Sequence, residues 1–432
     1  MKEFENIPVN KVQRASKFVT TGVRIGGNYL KHYAKKLVNS DLSREELHQD
    51  NAKDIYNSLS ELKGSALKVA QMLSMDKNLL PSAYQQQFAM AQYSAPPLSY
   101  PLVAKTFQRY FGKSPDQIFD TFSHSASNAA SMGQVHMATL NGKKLAVKIQ
   151  YPGISDSVQS DLAMVKPIAL SMFKINPVEY EEFIQEVELR MMEETDYVLE
   201  LQRSIDISQK TAHLKDVVFS KYYPEYSCTK ILVMDWLEGR PLGDVLRKQL
   251  PEGIGNKLGQ AMWDFYNFQI HNLRALHADP HPGNFIITPD YKLGIIDFGC
   301  VKVIPEDFYN VYFELLDPAL LSDPVRKESL FYKLRFIHSD DTPADKAFFI
   351  RIFSDMVELL ARPFATPVFD FSDDKYFKAL YSFGEDMSSL KPFRESKKAR
   401  GVRDALYINR SYFGLYSILH DLGAKIVTKG IF

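Results

Sequence analysis

Cysteine is almost missing from this chain. Cys228 and Cys300 are the only two in 432 residues. Two cannot make a disulfide framework, and no spacing suited to zinc accompanies them. An intracellular, reducing setting is the simplest expectation. Net charge is missing as well. Lysine plus arginine and aspartate plus glutamate number 52 each, so nothing suggests bulk nucleic-acid binding and no nucleic-acid partner is expected. No run of eighteen apolar residues occurs, which predicts no transmembrane helix. The opening stretch MKEFENIPVN carries acids and no apolar core, unlike a secretory signal.

What is present is ordinary globular composition, 45% hydrophobic and 24% charged, enough for two lobes plus extensions. Residues 11–38 hold Lys11, Arg14, Lys17, Arg24, Lys31, Lys35 and Lys36 with no acid among them. Val12, Ala15, Val19, Val23, Leu30, Ala34 and Leu37 recur near helical spacing, so a basic amphipathic helix is expected. Packing on the protein's own body is the simpler reading, and peripheral contact with a membrane surface the alternative. Further helices are expected over 42–62 and 61–75. The period then changes. Val135–Thr139 and Leu145–Ile149 alternate as strands around Asn141-Gly142, a strong short hairpin signal. One long helix is expected over 178–208, a buried strand at Ile231–Asp235, and a helix over 255–276. Phe285–Thr288 and Leu293–Asp297 read as strands around a Pro289-Asp290 turn, and the rest as mainly helical. Strands first and helices later predict an α+β fold.

The chemistry concentrates in His277-Ala278-Asp279-Pro280-His281-Pro282-Gly283-Asn284, a short hairpin, and Asp297-Phe298-Gly299. In a kinase catalytic loop Asp and Asn stand five apart, ahead of a strand–turn–strand and Asp-Phe-Gly. The spacing has a cause. Asp279 must reach an attacking hydroxyl or water, Asn284 must turn back to a metal ion, and Asp297 must hold Mg²⁺ against the phosphates of ATP. Leu145-Ala146-Val147-Lys148 matches the strand lysine that pairs the α- and β-phosphates. Such a lysine needs a carboxylate from a helix. Glu193, Glu194, Asp196 and Glu200 are all candidates, and composition does not choose among them. Where a glycine-rich phosphate loop belongs, the chain reads Asn128-Ala129-Ala130-Ser131-Met132-Gly133-Gln134, with one glycine. Alanine narrows φ, so this loop should approach phosphates less freely. Cys300 follows the Asp-Phe-Gly glycine and reads as a small packed residue ahead of a reactive thiol.

These segments resemble the UbiB/AarF family of atypical kinases, which is linked to ubiquinone metabolism. The residues that carry the resemblance are Ala129–His136, Ala146–Gly153, Glu194-Thr195-Asp196-Tyr197, His277–Asn284 and Asp297-Phe298-Gly299. The resemblance implies Glu200 as the partner of Lys148, and Glu194 and Asp196 as the family's Glu-x-Asp motif. It also aligns Lys68-Val69-Ala70-Gln71 with the family's Lys-x-Gly-Gln, on an N-terminal extension that folds over the active site. Ala70 departs from the motif glycine, and the transmembrane helices that end some members are not expected from these residues.

The resulting expectation is an α+β, two-lobed protein-kinase-like fold. Residues 1–112 form a helical extension, 113–237 the N-lobe, and 238–432 a mainly helical C-lobe. Asp279, Lys148 and Glu200 are the catalytic candidates, and Asn284 and Asp297 the metal ligands. Ala129, Ala130, Ser131, Gly133, Lys148, Lys68, Gln71, Glu194 and Asp196 are assigned to the nucleotide side. The expected cofactors are ATP and Mg²⁺, with a lipid or quinone-precursor ligand. The expected activity is slow ATP hydrolysis or phosphoryl transfer to a small or lipid-like acceptor, in the cytoplasm or on the inner membrane face. A protein phosphotransferase and a nucleotide-gated lipid-binding scaffold are the rivals.

Overall fold

The computed structural model describes residues 97–429 except 130–131, 174–176, 247–249, 391, 393–397 and 399, and also residues 51, 53 and 54. The helices expected at 11–38 and 61–75, with Lys68 and Gln71, lie outside the described residues, as do Ala130 and Ser131. Two compact units divide the chain: Met1–Leu201 with Lys221–Trp236, and Gln202–Ser220 with Leu237–Phe432.

The described part of the first unit opens with helix α1 (Tyr100–Phe111), started by a proline in its first turn and closed by Gly112 at φ 66°. Strands β1 (Thr121–Phe122), β2 (Asn128–Ala129), β3 (Gly133–Leu140) and β4 (Lys143–Gln150) follow. Between β3 and β4, Asn141 and Gly142 take φ of 51° and 74°, the type I′ turn that this dipeptide favours. Helices α2 (Ile154–Phe173), α3 (Pro177–Glu194) and α4 (Tyr197–Thr211) precede strands β5 (Val217–Phe219) and β6 (Ile231–Asp235). The sheet of this unit runs β1-β3-β4-β6, with β2 also paired to β3. Along β4 the pleat turns Leu145, Val147 and Ile149 to the core and Ala146 and Lys148 to the opposite face. Val103 and Phe107 of α1 share that core, so this helix packs with the sheet.

The second unit already holds β5 and continues at β7 (Arg240–Pro241), then α5 (Leu242–Leu246), α6 (Ile254–Phe268), β8 (Ala275–His277), β9 (Phe285–Ile287), β10 (Leu293–Ile295) and β11 (Val301–Val303). Helices α7 (Glu306–Tyr312), α8 (Pro324–Lys333) and α9 (Pro343–Ala361), strand β12 (Val368–Asp370), helices α10 (Asp374–Ser389) and α11 (Arg403–Asp421), and strand β13 (Lys425–Val427) complete it. One sheet runs β5-β10-β9-β7, and β8 with β11 and β12 with β13 form separate pairs. Fully buried Trp263 of α6 lies at the core, its ring 5.2 Å from Phe364, 5.8 Å from Phe371 and 6.3 Å from Tyr416.

Two expectations change. The helix expected over 178–208 is two helices, because the Asp196 carboxylate accepts the amides of Val198 and Leu199, both at 3.1 Å, and starts a new helix. The helix expected to reach 276 ends at Phe268, passes through a π-turn (Gln269–Leu273), and gives way to β8. The tail is mainly helical, as expected, with β12 and β13 within it. Among the described residues no helix is long and apolar enough to cross a membrane.

Candidate active site

In the first unit the functional geometry centres on Lys148. Its ammonium donates to both oxygens of Glu200, at 2.7 and 2.9 Å. The Glu200 side chain is 1% exposed and that of Lys148 17%, so the pair is largely desolvated. Of the four acids that composition leaves open, Glu200 thus meets Lys148 through both carboxylate oxygens. The break at Thr195-Asp196 restarts the helix and puts Glu200 in the first turn of α4. The break is itself held: Gln150 donates to the Thr195 carbonyl at 2.9 Å. Lys230 donates to Gln150 and, at 3.0 Å, to Ser155. Burial pushes the Lys230 ammonium below its ordinary pKa, while the charges of Asp156 and Asp196 oppose that shift.

At the start of the alanine-rich stretch β2 pairs antiparallel with β3, with Asn128 opposite Val135 and Ala129 opposite Gln134. Gly133 begins β3 and has a packing reason to be glycine. A Cβ there would lie 2.7 Å from both the Ile149 carbonyl and the Tyr197 hydroxyl. Gln134, fully buried, accepts the Leu98 amide at 2.6 Å and donates to the Leu98 carbonyl at 3.3 Å. One side-chain amide thereby does what a neighbouring strand would do.

In the second unit Asn284 donates to the Asp279 carbonyl at 3.0 Å and to its carboxylate at 3.3 Å. Committing the amide nitrogen to Asp279 turns the amide oxygen away from it. Ile296 donates to the Asn284 carbonyl at 3.2 Å, which sets the residue before Asp297 beside Asn284. The Asp297 carboxylate accepts the Gly299 amide at 2.8 Å. Buried His277 bonds the Asp297 carbonyl through Nε2 at 2.6 Å. A carbonyl only accepts, so Nε2 carries the proton. Burial raises the Tyr266 hydroxyl well above its ordinary pKa, and the nearby Asp279 and Cys300 add to the shift. Tyr266 therefore stays protonated, 3.5 Å from His277 Nδ1. His281 Nδ1 accepts the Gly283 amide at 3.0 Å, a structural role within the loop.

Helix α11 braces this loop. A Cβ at Gly414 would fall 2.4 Å from Cγ of Pro280, so only glycine admits the proline ring. Tyr407 packs with Ala278 and Cys300, and Lys302 pairs with Asp404 at 2.6 Å. Cys300 is buried as a small packed residue. Sequence reasoning missed Gly414 and Tyr407; a lone glycine inside a helical run was the available signal.

Asn284 and Asp297 supply hard oxygen donors, the type Mg²⁺ takes. Among the described residues no group of three or more His, Cys, Asp or Glu gathers into a cage.

A sheet carrying a buried lysine–glutamate pair, followed in the chain by an Asp–Asn loop, a hairpin and Asp-Phe-Gly, defines the protein-kinase-like class. A family model described as the ABC1 atypical kinase-like domain matches residues 90–327. The chain belongs to that family. It is 28% identical over 340 residues to a chloroplastic aarF domain-containing protein kinase of Arabidopsis thaliana, covering 73% of this chain and 48% of that protein. An ABC1 family protein of Schizosaccharomyces pombe is 28% identical over 321 residues, covering 72% and 59%. The chain thus spans about half the length of these curated relatives. The solved Rv3197–erythromycin complex of Mycobacterium tuberculosis matches with a TM-score of 0.61 at 24% identity, covering 89% of this chain and 95% of that one. At that identity it shows the fold.

Proposed function

We propose that this chain is an atypical kinase or ATPase that binds Mg-ATP and acts slowly, by hydrolysis or by phosphoryl transfer to a small or lipid-like acceptor. The observation that carries the reading is the two-pronged Lys148–Glu200 ion pair, largely withdrawn from water. A lone surface lysine has no reason to be held so, whereas a phosphate-binding lysine must be fixed in direction. In this reading Lys148 orients the α- and β-phosphates and Glu200 holds Lys148. Asn284 and Asp297 hold Mg²⁺, which neutralises phosphate charge when bound. Asp279, steadied by Asn284, orients and deprotonates the attacking hydroxyl or water. Glu194, Asp196, Ala129 and Gly133 belong to the nucleotide side, and so do Ala130, Ser131, Lys68 and Gln71. Support of isoprenoid-quinone or membrane-lipid metabolism, and peripheral membrane contact through residues 11–38, rest on family membership and on the basic pattern.

The test is thermal unfolding with ATP, with and without Mg²⁺, and ATP turnover with and without lipid vesicles. Wild type should gain stability from Mg-ATP, Asp297→Asn should lose the Mg-dependent part, and vesicles should raise turnover. An equal Mg-dependent gain in Asp297→Asn would sink the site assignment.

A further inference from the structure

The nucleotide-site reading gives Tyr197 no task, yet its position is tightly defined. It opens α4, three residues before Glu200 in the same first turn, and is 1% exposed. The Lys148 ammonium lies 5.1 Å from the centre of its ring. At the far end of the ring, the hydroxyl takes up the space that a Cβ on Gly133 would need. Gly133 pairs with Gln150 across β3 and β4, and Gln150 donates to the Thr195 carbonyl. The turn that carries Tyr197 is therefore fixed to the end of the hairpin at two points. Lys148 lies two residues before Gln150 on the same strand, hence on the same face.

A buried tyrosine is commonly no more than core. Two features go beyond that. The space beside Gly133 is filled by a hydroxyl, which phenylalanine lacks. A ring within about 6 Å of an ammonium also supplies an attraction that an aliphatic filler cannot. One helical turn thus gives the Lys148 ammonium two anchors, the Glu200 carboxylate and the Tyr197 ring.

We propose that Tyr197 is a positioning residue for Lys148, its ring limiting where the ammonium points and its hydroxyl keying the ring against Gly133. Its consequence for ATP rests on the nucleotide-site reading; the geometry does not. Phenylalanine keeps the ring face and removes the key. Leucine removes both.

The experiment uses the full chain as wild type, Tyr197→Phe and Tyr197→Leu, each also with Lys148→Met. Acetylation of Lys148 by an N-hydroxysuccinimide ester, followed by peptide mass spectrometry, reads the lysine without nucleotide. Tyr197→Leu should speed labelling severalfold relative to exposed Lys210, and Tyr197→Phe should stay within about twofold of wild type. Mg-ATP affinity should fall about fivefold in Tyr197→Leu, as expected for loss of one cation–π contact, and not further in the Lys148→Met background. If the leucine variant does not fold, Tyr197→Met serves, being long and flexible without a ring. Unchanged labelling in the ring-less variant overturns the proposal. So does an equal loss of affinity with and without Lys148, which would mark a purely structural tyrosine. Faster labelling in a protein that Mg-ATP never stabilises would uphold the positioning role and overturn the nucleotide reading alone.

Discussion

Replacing Lys148 with methionine deletes the ammonium and keeps most of the stem, so it isolates the charge. Removing one partner of a buried ion pair typically costs about 3–5 kcal/mol, because the survivor is left desolvated. The two single variants should not be equal. Lys148→Met takes both lysine hydrogen bonds from a carboxylate whose side chain is 1% exposed and whose stem is too short to carry it to water. Its cost belongs at the upper end of that range. Glu200→Gln takes the carboxylate charge from an ammonium on a long stem, 17% exposed and facing the Tyr197 ring. Such a side chain can snorkel, so this cost belongs at the lower end or beneath it. The double variant should fall short of the sum by about 2 kcal/mol, within the usual range for groups in contact. Trp236 and Trp263, the only tryptophans, lie one in each unit, so fluorescence-detected urea unfolding follows both. Strict additivity, or a larger cost for Glu200→Gln than for Lys148→Met, would refute the reasoning.

Gly414→Ala should drive a methyl into the Pro280 ring, costing about 1–3 kcal/mol in thermal unfolding. It should cut ATP turnover by more than tenfold through displacement of the Asp279 loop, and unchanged turnover would count against the bracing role. Asn284→Ala should weaken Mg²⁺ dependence, so that excess Mg²⁺ restores part of the turnover, whereas Asp279→Asn should not respond to added metal. His271 gives a pH prediction. Burial, reinforced by Arg274, pushes its pKa from 6.5 down to about 3, so the folded imidazole stays neutral. Between those values the unfolded chain binds a proton that the folded chain refuses. The stability is therefore complete above about pH 6.5 and is lost as pH falls, by roughly 4 kcal/mol near pH 3. Urea midpoints across that range should flatten in His271→Gln, and an unchanged slope would contradict the assignment.

Legibility followed range. The β3–β4 hairpin was readable because Asn141-Gly142 favours its turn through local backbone energetics alone. The hydrogen bond from Asn284 to Asp279 was not foreseen, although the two stand only five residues apart in one loop. The partner of Lys148 was not readable from composition. Several acids lie between Glu193 and Glu200, and the choice is made by where the helix restarts. Asp196 ahead of Val198 and Leu199 is an N-cap signal, and weighing it would have split the expected long helix. The π-turn after Phe268 was hidden because the residues that follow keep an apolar pattern compatible with a helix. The pairing of β12 with β13 joins Val368 to Val427, a contact between distant segments that three-residue strands do not announce. Gly414 is the clearest case. Its reason for being glycine is Pro280, far earlier in the chain, and no local pattern records it.

That glycine also bears on where the protein can be cut. The family model stops at residue 327, yet the helix against Pro280 runs from Arg403 to Asp421. Tyr416 and Phe371, which flank Trp263, and Tyr407, which covers Ala278 and Cys300, also come from beyond that limit. A fragment made to the matched boundaries would keep every side chain assigned to chemistry in the second unit. It would remove the helix on which the Asp279 loop rests and uncover Pro280, Ala278 and Cys300. Recombinant fragments meant to report on this activity should run through Val427, where β13 closes against β12. The segment that the family model matches and the segment that packs as one core are different lengths of chain here.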